Sequence, residues 1–224
     1  MPPHHAESPR VFLLSPAHCG GKRAALLLRG AADFPLAVRL RSAEGISLGE
    51  AFGFLSGLYF RGKLAYASRF GRPRAGTAGV QVITTNRGLV AADVRVGLED
   101  LRAFGLVDIQ ADDPRYRGPL VRDIARLAED PTVELVLLGS LATGKYVDVL
   151  LDVVGERLLF PKDFLGRGDM SRGALLLRAA REGRELAYEP AARALPRLRV
   201  SKRGAANAGD EKRGESAEDS EGQD

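Results

Sequence analysis

This chain has little from which to build cross-links, metal clusters or membrane spans. Cys19 is its one cysteine in 224 residues, so an internal disulfide framework is excluded. It has three histidines, two of them at positions 4 and 5, and no Cys-x-x-Cys pair, so neither a metal site nor a cofactor is expected. No run of 18 uncharged apolar residues occurs, which leaves no candidate for a membrane-spanning helix and no membrane partner. The opening Met1-Pro-Pro-His-His-Ala-Glu7 lacks the apolar stretch of a secretory signal, so the expected location is cytoplasmic.

What is present fits a globular protein. Apolar residues make up 45% of the chain, enough for an ordinary core. The net charge of +4 hides an asymmetry. From Gly209 to Asp224 there are seven acids and two bases, so that end carries −5 and residues 1–208 carry +9. A basic body attracts phosphate-rich partners. The plainer reading is that arginine is simply the abundant surface residue.

Short apolar runs alternate with helical periods. Val11-Phe-Leu-Leu14 reads as a buried strand, followed by a Gly-rich loop and a helix from Lys22 to about Ala31. That loop is not a Walker loop, which would need Gly in place of Pro16 and Ser or Thr in place of Arg23. Leu36–Leu40 reads as extended. Ser47 and Glu50 form a capping box for a helix, and Lys63–Phe70 continues as a second one. Further strands are expected at 79–85, 106–109, 133–138 and 156–160, with an edge strand at 185–188. Helices are expected at 98–104, 114–129, 146–154 and 170–181. Residues 1–9 read as a flexible leader, 10–189 as a single α/β domain with a mostly parallel central sheet flanked by helices, and 190–224 as a disordered tail, basic and then acidic.

In such a sheet, ligands sit beyond the C-terminal ends of the strands. Four loops should gather there, at 15–23, 85–89, 139–146 and 161–173, and each combines glycine with a base. They supply Gly20, Gly21, Lys22, Arg23, Arg87, Ser140, Lys145, Arg167, Ser171 and Arg172 as candidate phosphate contacts. Each arginine can equally pair locally at the surface. Asp169 is the one acid in the core of the Gly166–Gly173 stretch; it reads either as a general base or as a first-turn acid of the following helix. Glu50, Tyr59, Arg61 and Lys63 surround the break between the two early helices. Glu50 is the second candidate for acid–base chemistry, while Tyr59 and Arg61 are candidate ligand contacts. Cys19 precedes two glycines and two bases, which permits a reactive thiol, although a buried small apolar role is the simpler reading.

The order of short motifs carries a resemblance. It begins with Cys19-Gly-Gly-Lys22 after a strand and Gly57-Leu-Tyr-Phe-Arg-Gly62 in a helix, and continues with Ile83-Thr-Thr-Asn-Arg-Gly-Leu89. It ends with Leu137-Leu-Gly139 and with Phe160-Pro161 before a Gly-rich turn. Over about residues 10–185 this series resembles the YaaA-like superfamily and related bacterial and phage domains of unknown function. Two departures stand out: Thr84-Thr-Asn-Arg87 replaces a Ser-Ala-Lys-Tyr type string, and Gly166–Gly173 is more elaborate than the family's turn. The resemblance implies an α/β fold with a basic cleft, double-stranded DNA binding linked to oxidative stress, and a neighbourhood of RNA base-modifying machinery. No established catalytic residue of that family maps onto this chain.

Two functions are therefore expected. In the first, the basic edge binds a nucleotide or nucleic acid, with an enzyme acting on a nucleotide or nucleobase as one form of it. In the second, the protein is a non-catalytic, stress-related double-stranded DNA binder of the YaaA-like type.

Overall fold

In the computed structural model, residues 8–195 apart from Thr143 are described. Arg10–Leu14 forms β1, and all five of its residues are buried, as a strand covered on both faces requires. Lys22–Leu28 (α1) and Pro35–Arg41 (α2) follow. The stretch expected to be extended at 36–40 is thus helical. Pro35 stands in the first turn, where its missing N–H does no harm, and Ala37 and Leu40 face inward three residues apart.

Ile46–Ser47 (β2) leads into Leu48–Ser56 (α3), and Leu58–Phe70 forms α4. The capping box is formed as expected: the Glu50 N–H donates to Ser47 Oγ over 3.2 Å, and the Ser47 N–H donates to the Glu50 carboxylate over 3.0 Å. Ser47→Ala is expected to cost about 1 kcal/mol, read as a lower midpoint in urea with an unchanged slope.

Val80–Ile83 (β3), Leu89–Ala91 (β4) and Arg95–Val96 (β5) precede Leu98–Gly105 (α5). Residues 106–109, expected to be a strand, form an irregular loop in which Leu106 is exposed. Pro114–Ala128 (α6), Glu134–Leu138 (β6), Val147–Val154 (α7) and Leu158–Pro161 (β7) follow. Asp169–Glu182 (α8) and Tyr188–Pro190 (β8) complete the series, with the edge strand a few residues later than expected. Pairing already begins at Pro9, whose carbonyl accepts the Glu134 N–H over 2.8 Å. The chain also stays with the core past Pro190, because Ala191, Ala194 and Leu195 are buried. The remainder of the expected leader and tail lies outside the described residues.

The main sheet has the order β4-β3-β1-β6-β7-β8. Its four inner strands are parallel, and β4 and β8 close its edges antiparallel. The chain leaves β1 for β3 on one side, and later enters β6 on the other. Right-handed crossovers in opposite directions put α4 and α7 on opposite faces. α8 packs along α4, and α6 along α7. A topological switch point therefore opens between the C-terminal ends of β1 and β6. Among the described residues, no helix is long and apolar enough to cross a membrane.

Candidate functional site

Because β1, β3, β6 and β7 run parallel, the four loops singled out in the sequence do leave the same edge of the sheet. They build two adjoining features there.

The first is a cavity of about 490 Å³, lined by residues of the β1 and β3 loops, the segment 104–110, and Lys145 of the β6 loop. Gly20, His18 and Cys19 form one wall. Side chains at Gly20 and Gly21 would crowd the His18 ring, with a Cβ 3.3 and 3.2 Å from its atoms. The β3 loop is tied to α5 by the Thr85 hydroxyl donating to the Phe104 carbonyl over 2.8 Å and the Asn86 amide to that of Ala103 over 3.0 Å. Thr85, Asp108 and Gln110 supply polar edges, Phe104 and Ile109 apolar surface. Cys19 is buried, and desolvation pushes its thiol up to about 12, so it behaves as a small apolar wall residue and not as a thiolate.

The second feature is a buried polar cluster where α4 and α8 meet the ends of β1 and β6. Two facing glycines make it possible. A Cβ on Gly62 would lie 2.6 Å from the Gly173 carbonyl oxygen, and one on Gly173 would lie 2.9 Å from the Tyr59 Cα. This contact sets the first turn of α8 against Tyr59 and Lys63. Lys63 is 1% exposed. Its amine is 2.7 Å from the Ser15 carbonyl oxygen and 2.8 Å from Ser15 Oγ, over the faces of Tyr59 and Phe60. Desolvation pulls the amine down to about 7, and the field of Asp169 opposes that only in part. The Ser15 N–H donates to the Leu138 carbonyl over 3.1 Å. The Tyr146 hydroxyl accepts the Ser140 N–H over 2.6 Å, and Gly139 keeps Ser15 and Tyr146 together, since a Cβ there would meet atoms of both within 3.0 Å. Tyr59 is buried with its hydroxyl beside the Arg172 guanidinium, and burial raises that phenol above its ordinary range.

The expected site residues are thus distributed as follows. Tyr59, Ser140, Asp169 and Arg172 come together in the cluster. Arg172 is buried, donating Nε and Nη2 to the Phe164 carbonyl over 3.2 and 3.1 Å, with Asp169 3.5 Å from Nη1. Asp169 opens α8 behind Gly168 and is two-thirds exposed. Arg167 donates to the Ser171 hydroxyl over 3.2 Å, and both are exposed. Gly20 and Lys145 line the cavity, with Gly21 and Lys22 next to it at the start of α1. Arg23 instead turns to the end of α3, donating to the Phe54 carbonyl over 3.2 Å. Arg87 pairs with Asp100 and covers the Phe104 ring. Arg61 is exposed on α4.

Glu50 is not brought to this edge. It lines a different, more apolar cavity of about 490 Å³ beside the start of β3, and its carboxylate is held low by Arg39, 2.6 Å away, and by Ser47. A carboxylate so occupied is a poor general base.

Ser15, Lys63 and Tyr146 carry the cluster, yet sequence patterns point only weakly to them. Lys63 sits among apolar positions of an amphipathic helix, and that placement was the one available signal. Among the described residues, no group of acidic, histidine or cysteine side chains is arranged to hold a metal ion. Comparison with family models, curated proteins and solved structures returns no match for this chain.

Proposed function

We propose that this protein binds a phosphate-bearing ligand, a nucleotide in the first place, in the cavity at the C-terminal edge of its parallel sheet. The observation that carries the reading is the position of that cavity. It lies over the ends of β1 and β3, bounded by the β1, β3 and β6 loops and the segment 104–110, with a volume of about 490 Å³ that suits a small molecule. Lys145 supplies a cation for phosphate, and the Gly20 backbone allows close approach. Phe104, Ile109 and the His18 ring offer flat or apolar surface for a base, with Gln110, Asp108 and Thr85 for its polar edge.

Titration of the full chain with mononucleotides, RNA and duplex DNA at two salt concentrations tests this. A nucleotide should bind, and Lys145→Ala should weaken it about tenfold, the loss of one charge-assisted contact. If no nucleotide binds, or if Lys145→Ala binds as wild type, the reading fails.

A second reading, duplex DNA binding of the YaaA-like type, draws on the exposure of Lys22, Arg61 and Arg167 around the same edge. It requires steeply salt-dependent DNA binding that Arg167→Ala weakens and Lys145→Ala leaves alone.

A further inference from the structure

We propose that Ser15 and Lys63 form a nucleophile–base pair that cleaves a small carboxylic ester through an acyl-serine intermediate. This goes beyond ligand binding in the neighbouring cavity and does not depend on it.

The geometry is the first support. Ser15 stands at the end of the central strand, at the switch point, with its Oγ 2.8 Å from the Lys63 amine. No carboxylate pairs with that amine among the described residues, and the lysine is buried, with only the Ser15 side opening toward solvent. A lone buried ammonium is expensive, so the neutral amine is the favoured form. A neutral amine has one lone pair. It can donate to the Ser15 carbonyl, 2.7 Å away, while accepting the proton of the Ser15 hydroxyl. That is the arrangement of a general base on a nucleophile. An ammonium would instead donate to both oxygens, and the pH dependence of the reaction distinguishes the two forms.

A second observation is the Tyr59 hydroxyl, buried in the same cluster beside the Arg172 guanidinium, with the Tyr59 ring centre 4.6 Å from the Lys63 amine. It is a donor held out of water beside the pair, of the kind that meets a developing oxyanion.

An acyl centre fits better than a phosphoryl one. Phosphoryl transfer spreads negative charge over three oxygens and calls for several cations. The buried cation of the cluster, Arg172, already spends two donors on Phe164. Ser15 keeps 6% of its surface open, beside the partly exposed Pro16, so a small acyl group such as acetyl is the substrate to test first.

The steps balance without a further reagent. Ser15 Oγ attacks the carbonyl carbon as its proton passes to Lys63 Nζ. The C–O bond to the alcohol then breaks, and the alkoxide takes that proton. Water next gives a proton to Lys63 and attacks the acyl carbon. Ser15 Oγ leaves and takes the proton back, so ester and water become acid and alcohol.

The test uses the full chain with p-nitrophenyl acetate and with a small alkyl fluorophosphonate, which loses fluoride when a serine attacks phosphorus. One adduct should form, and peptide mapping should place it on Ser15. Ser15→Ala should abolish both the adduct and the nitrophenolate release. Lys63→Met should slow both by about 100-fold or more, the usual worth of a general base. In the wild-type protein the labelling rate should level off above the amine's titration at about pH 7, a readout that needs no variant to fold. The proposal is overturned if Ser15 carries no adduct, if Lys63→Met is labelled as fast as wild type, or if the wild-type rate keeps climbing through pH 10 as an unassisted hydroxyl would.

Discussion

Gly62→Ala is expected to lose at least 1–3 kcal/mol of stability, the usual penalty for overpacking, and Gly62→Val is expected not to fold at 25 °C. The atoms in the way are backbone. A Cβ at position 62 meets the Gly173 carbonyl oxygen at 2.6 Å and its Cα at 3.0 Å. No rotamer change relieves that; α4 and α8 must separate, and the packing between them goes with it. Gly173→Ala should behave alike, since its Cβ meets Tyr59 Cα at 2.9 Å and the Leu58 carbonyl at 3.0 Å. Gly118→Ala is the control. Gly118 is an exposed position in α6 with no tertiary neighbour within 4 Å, and there the helix-propensity gain of alanine is offset by the crowding of a side chain before Pro119, so the net change should stay within about 1 kcal/mol. Urea unfolding of the four variants checks the order. Equal midpoints for Gly62→Ala and Gly118→Ala would mean that the helices are not in backbone contact.

Stability should also rise between pH 7 and pH 9, an unusual direction for a protein near neutrality. The Lys63 amine, ordinarily at 10.5, lies at about 7 in the folded protein because burial strips its water. Over that window the unfolded chain holds a proton that the folded chain does not. Folding releases it, so raising the pH favours folding. Two pH units are worth about 2–3 kcal/mol. Above pH 9 the rise is offset. The Cys19 thiol moves from 9.0 to about 12 on burial, so the unfolded thiol ionises first and its fall cancels the rise from Lys63, whose unfolded amine titrates only at 10.5. The buried hydroxyls of Tyr59, Tyr66 and Tyr146, all raised mainly by desolvation from an ordinary value of 10.0, turn the balance downward above about pH 10. The maximum is therefore expected as a plateau between pH 9 and pH 10. Lys63→Met should lose the rising limb and keep the falling one. Urea midpoints at pH 7, 8, 9 and 10 decide it, and a rising limb that survives in Lys63→Met would remove this lysine from the account.

Local signals carried much of the fold. The apolar runs of β1, β3, β6 and β7 are broken only by Gln81 and by Arg10 and Glu134 at strand starts, because helices cover both faces, and this makes parallel strands conspicuous. The Ser47–Glu50 box is a contact across one helical turn, so its spelling suffices. Leu36–Leu40 misleads because five residues with apolar ends suit a strand as well as a helix, and Pro35 was the signal that settles it. Leu106–Ile109 misleads for a different reason: its apolar character serves the wall of a cavity in part, while Leu106 simply faces water. The edge of the sheet where ligands gather was legible as soon as the strands were placed. The chemistry at that edge was much less so. Arginines beside glycines look alike in a sequence, whether they point outward as Arg167 does, answer a carbonyl as Arg23 and Arg172 do, or pair with an acid as Arg87 does. Lys63 and Ser15 are 48 positions apart, and what makes their contact significant is its dryness, which depends on α8 arriving from more than a hundred residues further on.

The antiparallel strands at either end of the sheet have a consequence for the behaviour of this protein at high concentration. Long unpaired parallel strands are templates on which another chain can add itself. Here the four parallel strands are all interior, and the two outer ones, Leu89–Ala91 and Tyr188–Pro190, offer three residues each. One of them ends in proline, which has no amide hydrogen to give a newcomer. A strand from a neighbouring molecule would find room for only one or two bonds before its register ran out, so recruitment into intermolecular sheets is discouraged at both borders by brevity alone.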